Sequence, residues 1–159
     1  MQQPLHLKVK LSVHAIETVM STSSHSSAYG IASKICTEIL RLDNSIRYVG
    51  IGNNMGTLVA YEFRRGIQPI LNEEDLQSNM INAVLRMKTR EDYESKLGDV
   101  IYTFTLYKKV KRASIPLDHH LNLAVLNVSF DIVADHDHII LERILPAIRK
   151  HRLTMTEET

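Results

Sequence analysis

Apolar and polar residues follow one another with different periods along this 159-residue chain, and each period predicts a different element. From Leu5 to Val13 the two kinds alternate one by one, which is the pattern of a half-exposed strand. A poorly ordered terminal arm is the alternative for this segment. Residues 21–27 are all polar and predict a linker. From 28 to 42, apolar residues recur at helical spacing, which predicts a first amphipathic helix.

A β-hairpin and a second helix are predicted next. The runs Ile46 to Gly52 and Thr57 to Arg64 are rich in strand-forming residues, and Asn53-Asn54-Met55-Gly56 joins them. Asn and Gly tolerate the positive φ that a hairpin turn requires. Asn72 then precedes three acidic residues, which is the pattern of an N-cap and an acidic first helical turn. The helix that begins there is predicted to end near Lys88.

The rest of the chain predicts three strands and a final helix. A charged segment at 88–97 either prolongs the second helix or crosses the surface as a loop. Asp135 or Asp137 is expected to cap the final helix, and Pro146 predicts a kink or an early break within it. The three predicted strands are Val100 to Leu106, Val110 to Leu117 and Leu121 to Val128.

The predicted fold class is therefore α+β, with the order α-β-β-α-β-β-β-α and an N-terminal strand-like extension. Short connections between successive strands predict a five-stranded, mainly antiparallel sheet flanked by helices. We expect four parts along the chain: an extension at 1–20, a linker at 21–27, a domain at 28–151 and a C-terminal tail at 152–159.

Composition excludes several classes of protein. With 44% apolar residues, the chain has enough apolar surface for one folded core. Its net charge of +1 provides no overall field to hold nucleic acid, which is not an expected partner. No apolar run approaches the roughly 20 residues of a membrane span. The single cysteine, Cys36, cannot form an internal disulfide, which favours a reducing compartment and hence the cytoplasm.

The predicted order and the run from Ile46 to Ala60, IRYVGIGNNMGTLVA, resemble the roadblock/longin (profilin-like) superfamily. The hairpin, the following helix and the later LGDVIY at 97–102 are most similar to small uncharacterised archaeal proteins of that type. The resemblance covers about 28–151, and the arm, the charged 88–97 segment and the final helix depart from the adaptor pattern. Such domains are typically dimeric platforms that bind or regulate small GTPases, and related PAS-like folds bind small ligands.

Few residues are candidates for chemistry. Cys36 lies among apolar residues of the first helix, which favours a small buried side chain over a nucleophile. His119-His120 and the run from Asp135 to His138 offer metal-binding side chains. However, His136 and His138 diverge if they lie on a helix, and Asp135 or Asp137 would then serve as its cap. No phosphate-binding glycine motif is present, and no cofactor is expected.

Two surfaces are candidate interaction sites. The second helix has more apolar residues than one sheet contact requires, so part of it is expected to join a twofold partner, although burial beneath the 88–97 segment is the alternative. That candidate interface is Met80, Ile81, Val84, Leu85 and Met87. Basic residues at the predicted hairpin ends form a candidate patch, or else solvated ends that protect sheet edges. That patch is Arg64, Arg65, Lys108, Lys109, Lys111 and Arg112.

The sequence thus favours a non-enzymatic regulatory or scaffolding protein that acts through protein contacts as a homodimer, with a small GTPase or another protein as partner. One alternative is a PAS/profilin-like small-ligand sensor, whose pocket would be lined by Tyr48, Tyr102 and Tyr107 on the concave sheet face. A third hypothesis is a metal-dependent hydrolase that uses the His–Asp cluster.

Overall fold

The computed structural model describes residues 28–117 and 120–156. The predicted arm at Leu5 to Val13, the linker at 21–27 and His119 lie outside the described residues. The elements are α1 (28–40), β1 (Ile46–Asn53), β2 (Leu58–Phe63), α2 (Glu73–Glu91), α3 (Glu94–Leu97), β3 (Thr103–Leu106), β4 (Val110–Pro116), a 3-10 turn (His120–Asn122), β5 (Leu123–Asp131), α4 (His136–Ile139), a π-helical turn (Ile140–Ile144) and α5 (Leu145–Thr156).

The five strands form one antiparallel sheet in the order β2-β1-β5-β4-β3. β1 pairs with β2 and β3 pairs with β4, which gives two hairpins of consecutive strands. β5 joins the hairpins by pairing with β1 and β4. The predicted α+β fold class and strand order along the chain are confirmed. β2 and β3 are the two edge strands.

One side of the sheet, called here the core face, packs against α1 and the C-terminal helices. Most strand residues that point to this side are apolar, and Leu126, Val128 and Phe130 of β5 are completely buried. Ile35 and Ile39 of α1 and Ile140 and Ile144 of the π-helical turn lie in the same cluster. Removal of these side chains from water is the main stabilising contribution on this face.

The opposite side is called here the α2 face. Among the described helices, α2 is the one whose buried side chains pack against it. Met80, Val84 and Met87 of α2 are buried there with Ala124 and Val125. At Gly52 of β1 an added Cβ would lie 2.4 Å from the Met80 side chain. A glycine at this position therefore allows α2 to lie close to the sheet.

The first hairpin turn has the predicted chemistry. The side chain of Asn53 accepts hydrogen bonds from the backbone N–H groups of Met55 (2.9 Å) and Thr57 (3.0 Å). Gly56 adopts a φ of +80°, which L-residues rarely adopt. Asn72 caps α2 as predicted, in a capping box with Asp75.

The charged segment at 88–97 prolongs the second helix, which is one of its two predicted alternatives, since α2 continues to Glu91 and α3 follows it. Two predicted strand boundaries were wrong. β3 begins at Thr103 because Val100 packs against the α2 cluster before the strand starts. β5 begins at Leu123, since Leu121 and Asn122 have positive φ values that no strand accommodates.

The last helix begins at its predicted cap and is irregular near its proline. The side chain of Asp135 accepts from the backbone N–H of His138 at 3.2 Å. Leu145 donates to the carbonyl of Ile140, five residues earlier, so a π-helical turn directly precedes Pro146. Pro146 has no N–H to donate, and the predicted irregularity is confirmed at this point. α5 then extends to Thr156. None of the helices in the described part of the chain combines the length and apolar character of a membrane span.

Candidate functional site

An open cavity of about 500 Å³ lies on the α2 face, beside the first turns of α2. The loop between β2 and α2 and the turn between β3 and β4 both contribute to its walls. The loop contributes four apolar side chains, which are Ile67, Pro69, Ile70 and Leu71. Size and lining are typical of small-molecule sites, which measure roughly 300–1,000 Å³ and are mainly apolar.

Four of the strand residues that line the cavity form one cross-strand row. Phe63 of β2 is paired with Tyr48 of β1, Tyr48 with Ser129 of β5, and Ser129 with Arg112 of β4. All four residues line the cavity. Directly paired side chains on one face lie about 4.5–5.5 Å apart at Cβ. The row therefore presents an aromatic half and a polar half side by side.

The aromatic half is a packed cluster. The ring centre of Tyr48 lies 5.0 Å from that of Phe63 and 6.3 Å from that of Tyr61. Burial raises the pKa of the Tyr48 phenol, and the positive charge of Arg112 only partly opposes this effect. The hydroxyl of Tyr48 therefore stays neutral, and a hydrogen-bonding group, at physiological pH.

The polar half carries a positive charge. Arg112 donates from Nη2 to Oδ1 of Asn79 at 3.0 Å, and its Cζ lies 5.7 Å from the ring centre of Tyr48. Burial lowers the pKa of Arg112, but guanidinium groups remain charged in proteins. Among the described residues, no carboxylate forms a salt bridge with Arg112.

Two polar residues of β5 lie under α2 with different hydrogen bonding. Asn127 is satisfied, because its Oδ1 accepts from Ser114 Oγ at 2.7 Å and its Nδ2 lies 3.5 Å from Asn79 Oδ1. Ser129 is 6% exposed, and its Oγ has no hydrogen-bond partner among the described residues. A buried hydroxyl without a partner is costly and is rare in folded proteins.

The charge around the cavity has one sign. Lys108 and Lys109 of the β3–β4 turn line it together with Arg47 and Arg112. No Asp or Glu belongs to the described lining. Arg47 is paired with Asp131, so the excess positive charge comes from Lys108, Lys109 and Arg112, and the cavity favours an anion.

The predicted basic patch is divided between three places. Lys108, Lys109 and Arg112 line the cavity, whereas Lys111 lies on the opposite side of β4 and donates to the carbonyl of Ala134 at 2.6 Å. Adjacent residues of a strand point to opposite faces, so Lys111 and Arg112 cannot share one surface.

Arg64 belongs to an ion-pair cluster that shares Arg47 with the cavity wall, and Arg65 is exposed beside Arg64 in sequence. Arg64 and Arg47 each donate to Asp131 at 2.9 Å, and Arg64 also donates to the carbonyl of Asn44. Burial would raise the pKa of Asp131, but the hydrogen bonds and charges of the two arginines outweigh burial and lower it. This cluster joins the start of β1 to the ends of β2 and β5.

The candidate interface on α2 is also divided. Met80, Val84 and Met87 are buried against the sheet, while Ile81 is 42% and Leu85 is 55% exposed. Only these last two side chains are placed to meet a partner.

The His–Asp cluster is engaged in structural contacts. Asp135 caps α4, the His136 ring stacks on Phe104 with centres 3.8 Å apart, and Asp137 accepts from the hydroxyl of Tyr102. That hydrogen bond, aided by burial, raises the pKa of Tyr102 to about 12. In the described ranges, no three His, Cys, Asp or Glu residues are grouped to hold a metal ion, and the side chain of His120 is outside those ranges.

Two other sequence hypotheses have clear outcomes. Cys36 is 1% exposed and burial raises its pKa to about 12, which confirms the buried role expected for it. Of the three tyrosines of the predicted pocket, Tyr48 and Tyr107 line the cavity. Tyr102 was wrongly included, because it contacts Asp137 of α4 and the core face.

Sequence reasoning missed Asn79, Ser129 and Phe63. The signal for Ser129 was present, since Asn127 and Ser129 interrupt the apolar run of β5 at every second position. Two polar residues on one side of a central strand indicate that this side faces something other than an apolar core. Asn79 and Phe63 gave no such signal, because only the packing of α2 and the β1–β2 hairpin brings them to the cavity.

Comparisons with known proteins identify the fold. The sequence matches no protein-family model and no curated protein. Similar solved structures include MglB of Myxococcus xanthus, with 14% identity, a TM-score of 0.62, and coverage of 82% of this chain and 92% of that one. The gliding protein MglB of Thermus thermophilus has 16% identity, a TM-score of 0.59, and coverage of 77% and 88%. The Roadblock/LC7 domain from Streptomyces avermitilis has 9% identity, a TM-score of 0.59, and coverage of 78% and 97%.

At these identities the likeness concerns the fold alone. The chain has a roadblock/longin-type fold, which confirms the resemblance at that level. The particular similarity to small archaeal proteins stays a prediction.

Proposed function

We propose that this chain is a regulatory or scaffolding protein that acts through protein–protein contacts, as a cytoplasmic homodimer with a small GTPase as partner. The shared fold with two MglB structures and a Roadblock/LC7 domain supports a role in protein contacts. The resemblance of the sequence to the roadblock/longin superfamily implies that the partner is a small GTPase. Fold alone does not determine function, and two surfaces of this chain support the proposed contacts.

The unpaired edge of the sheet at β3 is the observation that carries the homodimer. Among the described strands β3 pairs only with β4, so its other backbone edge has no strand beside it. Ile101 before it and Leu106 within it are 57% and 63% exposed. An exposed edge with apolar side chains is a site for pairing with another strand. Two copies that pair β3 with β3 would form one continuous sheet about a twofold axis.

Light scattering of the full chain after size-exclusion chromatography tests the homodimer. We expect a dimer mass at tens of micromolar. Leu106→Lys should shift it toward the monomer, because each copy would bring a lysine charge into the contact between the two β3 edges. Val133→Lys is the matched control, since Val133 is apolar and 88% exposed but lies after β5. A monomer mass for the unmodified chain would refute the homodimer.

The exposed side of α2 is proposed to bind the GTPase. Ile81 lies against the β1–β2 turn, where an added Cβ at Gly56 would be 2.9 Å from its Cα, and Met55 of that turn is 81% exposed. Together with Leu85 these residues offer apolar contact area beside a polar helix surface, which is the composition of many protein interfaces.

Affinity capture with the full chain in the presence of a non-hydrolysable GTP analogue or of GDP tests this partner. Enrichment of a small GTPase in one nucleotide state, lost with Leu85→Lys but kept with Val133→Lys, would support the proposal. Equal capture by both variants would refute the α2 surface. Absence of any small GTPase under both conditions would refute the partner.

The proposal assigns no catalytic activity to the chain. The candidate nucleophile Cys36 is buried with a pKa raised to about 12, so the reactive thiolate does not form at physiological pH. The His–Asp cluster is occupied by a helix cap, a ring stack and a hydrogen bond to Tyr102.

Ligand sensing is a second candidate function, and the cavity on the α2 face favours it. A sensor must change a protein contact when its ligand binds. Measurement of the dimer dissociation constant with and without a cavity ligand tests sensing, and an unchanged constant would refute it.

A further inference from the structure

The cavity on the α2 face combines three features that together specify a class of ligand. It has an aromatic surface at Tyr48 and Phe63, a partly buried guanidinium at Arg112, and an unpartnered hydroxyl at Ser129. The strand register places these four side chains in one row. An apolar ligand would leave Ser129 without a partner, and a fully polar ligand would leave the aromatic half without a contact.

The charges decide which polar group the ligand carries. The guanidinium of Arg112 is a planar fork of N–H donors, and of its nitrogens only Nη2 donates to Asn79. A carboxylate matches such a fork with two parallel hydrogen bonds, which are stronger than bonds between neutral groups. Lys108 and Lys109 add positive charge, and no described carboxylate of the lining competes.

We propose that this cavity binds a small organic monocarboxylate, whose carboxylate pairs with Arg112 and Ser129 and whose apolar body lies against Tyr48 and Phe63. Ser129 Oγ is enclosed in the unliganded chain, and rotation of the side chain lets it donate its unused hydrogen bond to the same carboxylate. The inference rests on the ligand-sensing candidate for its biological purpose, but the binding itself does not require a dimer or a GTPase.

Isothermal titration calorimetry on the full chain tests the ligand class with two pairs of probes. The pairs are 2-naphthoate with its neutral analogue 2-naphthamide, and decanoate with decanamide. We expect each acid to bind tighter than its amide by roughly tenfold or more, because charge-assisted hydrogen bonds exceed neutral ones. Failure of both acids to bind, or equal affinity of acid and amide, would overturn the proposal.

Neighbouring residues of β4 provide a matched pair of variants. Arg112→Gln should remove the preference for acid over amide, whereas Lys111→Gln should retain it, because Lys111 points to the core face. A preference that survives Arg112→Gln would overturn the role of the guanidinium. Thermal unfolding of both variants verifies that each is folded at the assay temperature.

Ser129→Ala gives a second test that does not depend on the stability of the Arg112 variant. The substitution removes only a hydroxyl that has no partner in the described chain. Affinity for 2-naphthoate should fall several-fold without loss of thermal stability. Unchanged affinity would refute the hydrogen bond from Ser129. The dimer mass, measured in the same samples, separates failure of this site from failure of the homodimer.

Discussion

The two faces of the sheet differ in what they bury. The core face has continuous apolar contact from α1 to the C-terminal helices, with Leu126, Val128 and Phe130 of β5 completely buried. The same strand presents Asn127 and Ser129 to the α2 face, where one helix packs and a cavity lies beside it. One strand thus contributes to two environments through the period of its side chains.

The difference indicates how the fold separates stability from recognition. The core face has the larger apolar cluster, and a polar group buried there without a hydrogen-bond partner would be costly. Because the core face supplies this stabilisation, the α2 face can retain Arg112, Asn127 and Ser129 in partly or fully buried positions. Substitutions on the two faces should therefore have different costs, and four experiments test this expectation.

The largest effect is expected on the core face from Phe130→Ala. Phe130 is completely buried, and removal of a buried aromatic ring typically costs about 3–5 kcal/mol of unfolding free energy. Urea denaturation followed by circular dichroism measures this loss. Val133→Ala, at a position 88% exposed, should stay within about 0.5 kcal/mol. A cost below about 1 kcal/mol for Phe130→Ala would contradict the assigned difference between the faces.

A moderate effect is expected from Gly52→Ala on the α2 face. The new Cβ would overlap the Met80 side chain, and overpacking typically costs about 1–3 kcal/mol. The double variant Gly52→Ala/Met80→Ala should cost less than the sum of the two single variants, since the space is then available. Gly30→Ala in α1, where an added Cβ meets nothing within 4 Å, should instead stabilise by up to about 1 kcal/mol. Additive costs at Gly52 and Met80 would argue against their contact.

A smaller effect, about 1 kcal/mol, is expected from Asn72→Ala at the start of α2. Asn72 and Asp75 form two reciprocal capping bonds, of 2.9 and 3.3 Å, whereas Asp135 forms one side-chain cap of 3.2 Å at α4. Asp135→Ala should therefore destabilise less than Asn72→Ala in the same denaturation assay. The reverse order would show that the cap on the core-face helix is the stronger one.

The smallest effect on stability is expected from Ser129→Ala, which should be neutral or stabilising by up to about 1 kcal/mol, because no described partner is lost. Ser114→Ala is the contrasting variant. It removes the 2.7 Å donor to buried Asn127 and should cost about 1–3 kcal/mol. Equal costs for the two serines would indicate that Ser129 has a hydrogen-bond partner in solution.

Much of the fold was predictable because its signals are local. The turn at Asn53 to Gly56, the cap at Asn72 and the cap at Asp135 each depend on a few adjacent residues. Boundaries failed where distant contacts decide them. Val100 is apolar and suits a strand, but packing against α2 keeps it outside β3.

The site was predictable only in part. Tyr48 and Tyr107 were correctly expected to line a pocket, and Lys108, Lys109 and Arg112 were recognised as basic without their relation to it. A cavity requires gaps between elements that are far apart in sequence, and no local pattern encodes such a gap. The two candidate surfaces were divided for the same reason, since the face of a residue depends on the register of its strand or helix.

The sequence by itself determined the kinds of element, their order and the single apolar core, because hydrophobic period and turn chemistry act over short distances. Only the tertiary structure decided that Phe63, Tyr48, Ser129 and Arg112 form one row, since strand register joins residues that are far apart in the chain. The basic residues near the hairpin ends were visible in the sequence. Only packing decided which of them line the cavity, since it places Arg112 on one side of β4 and Lys111 on the other.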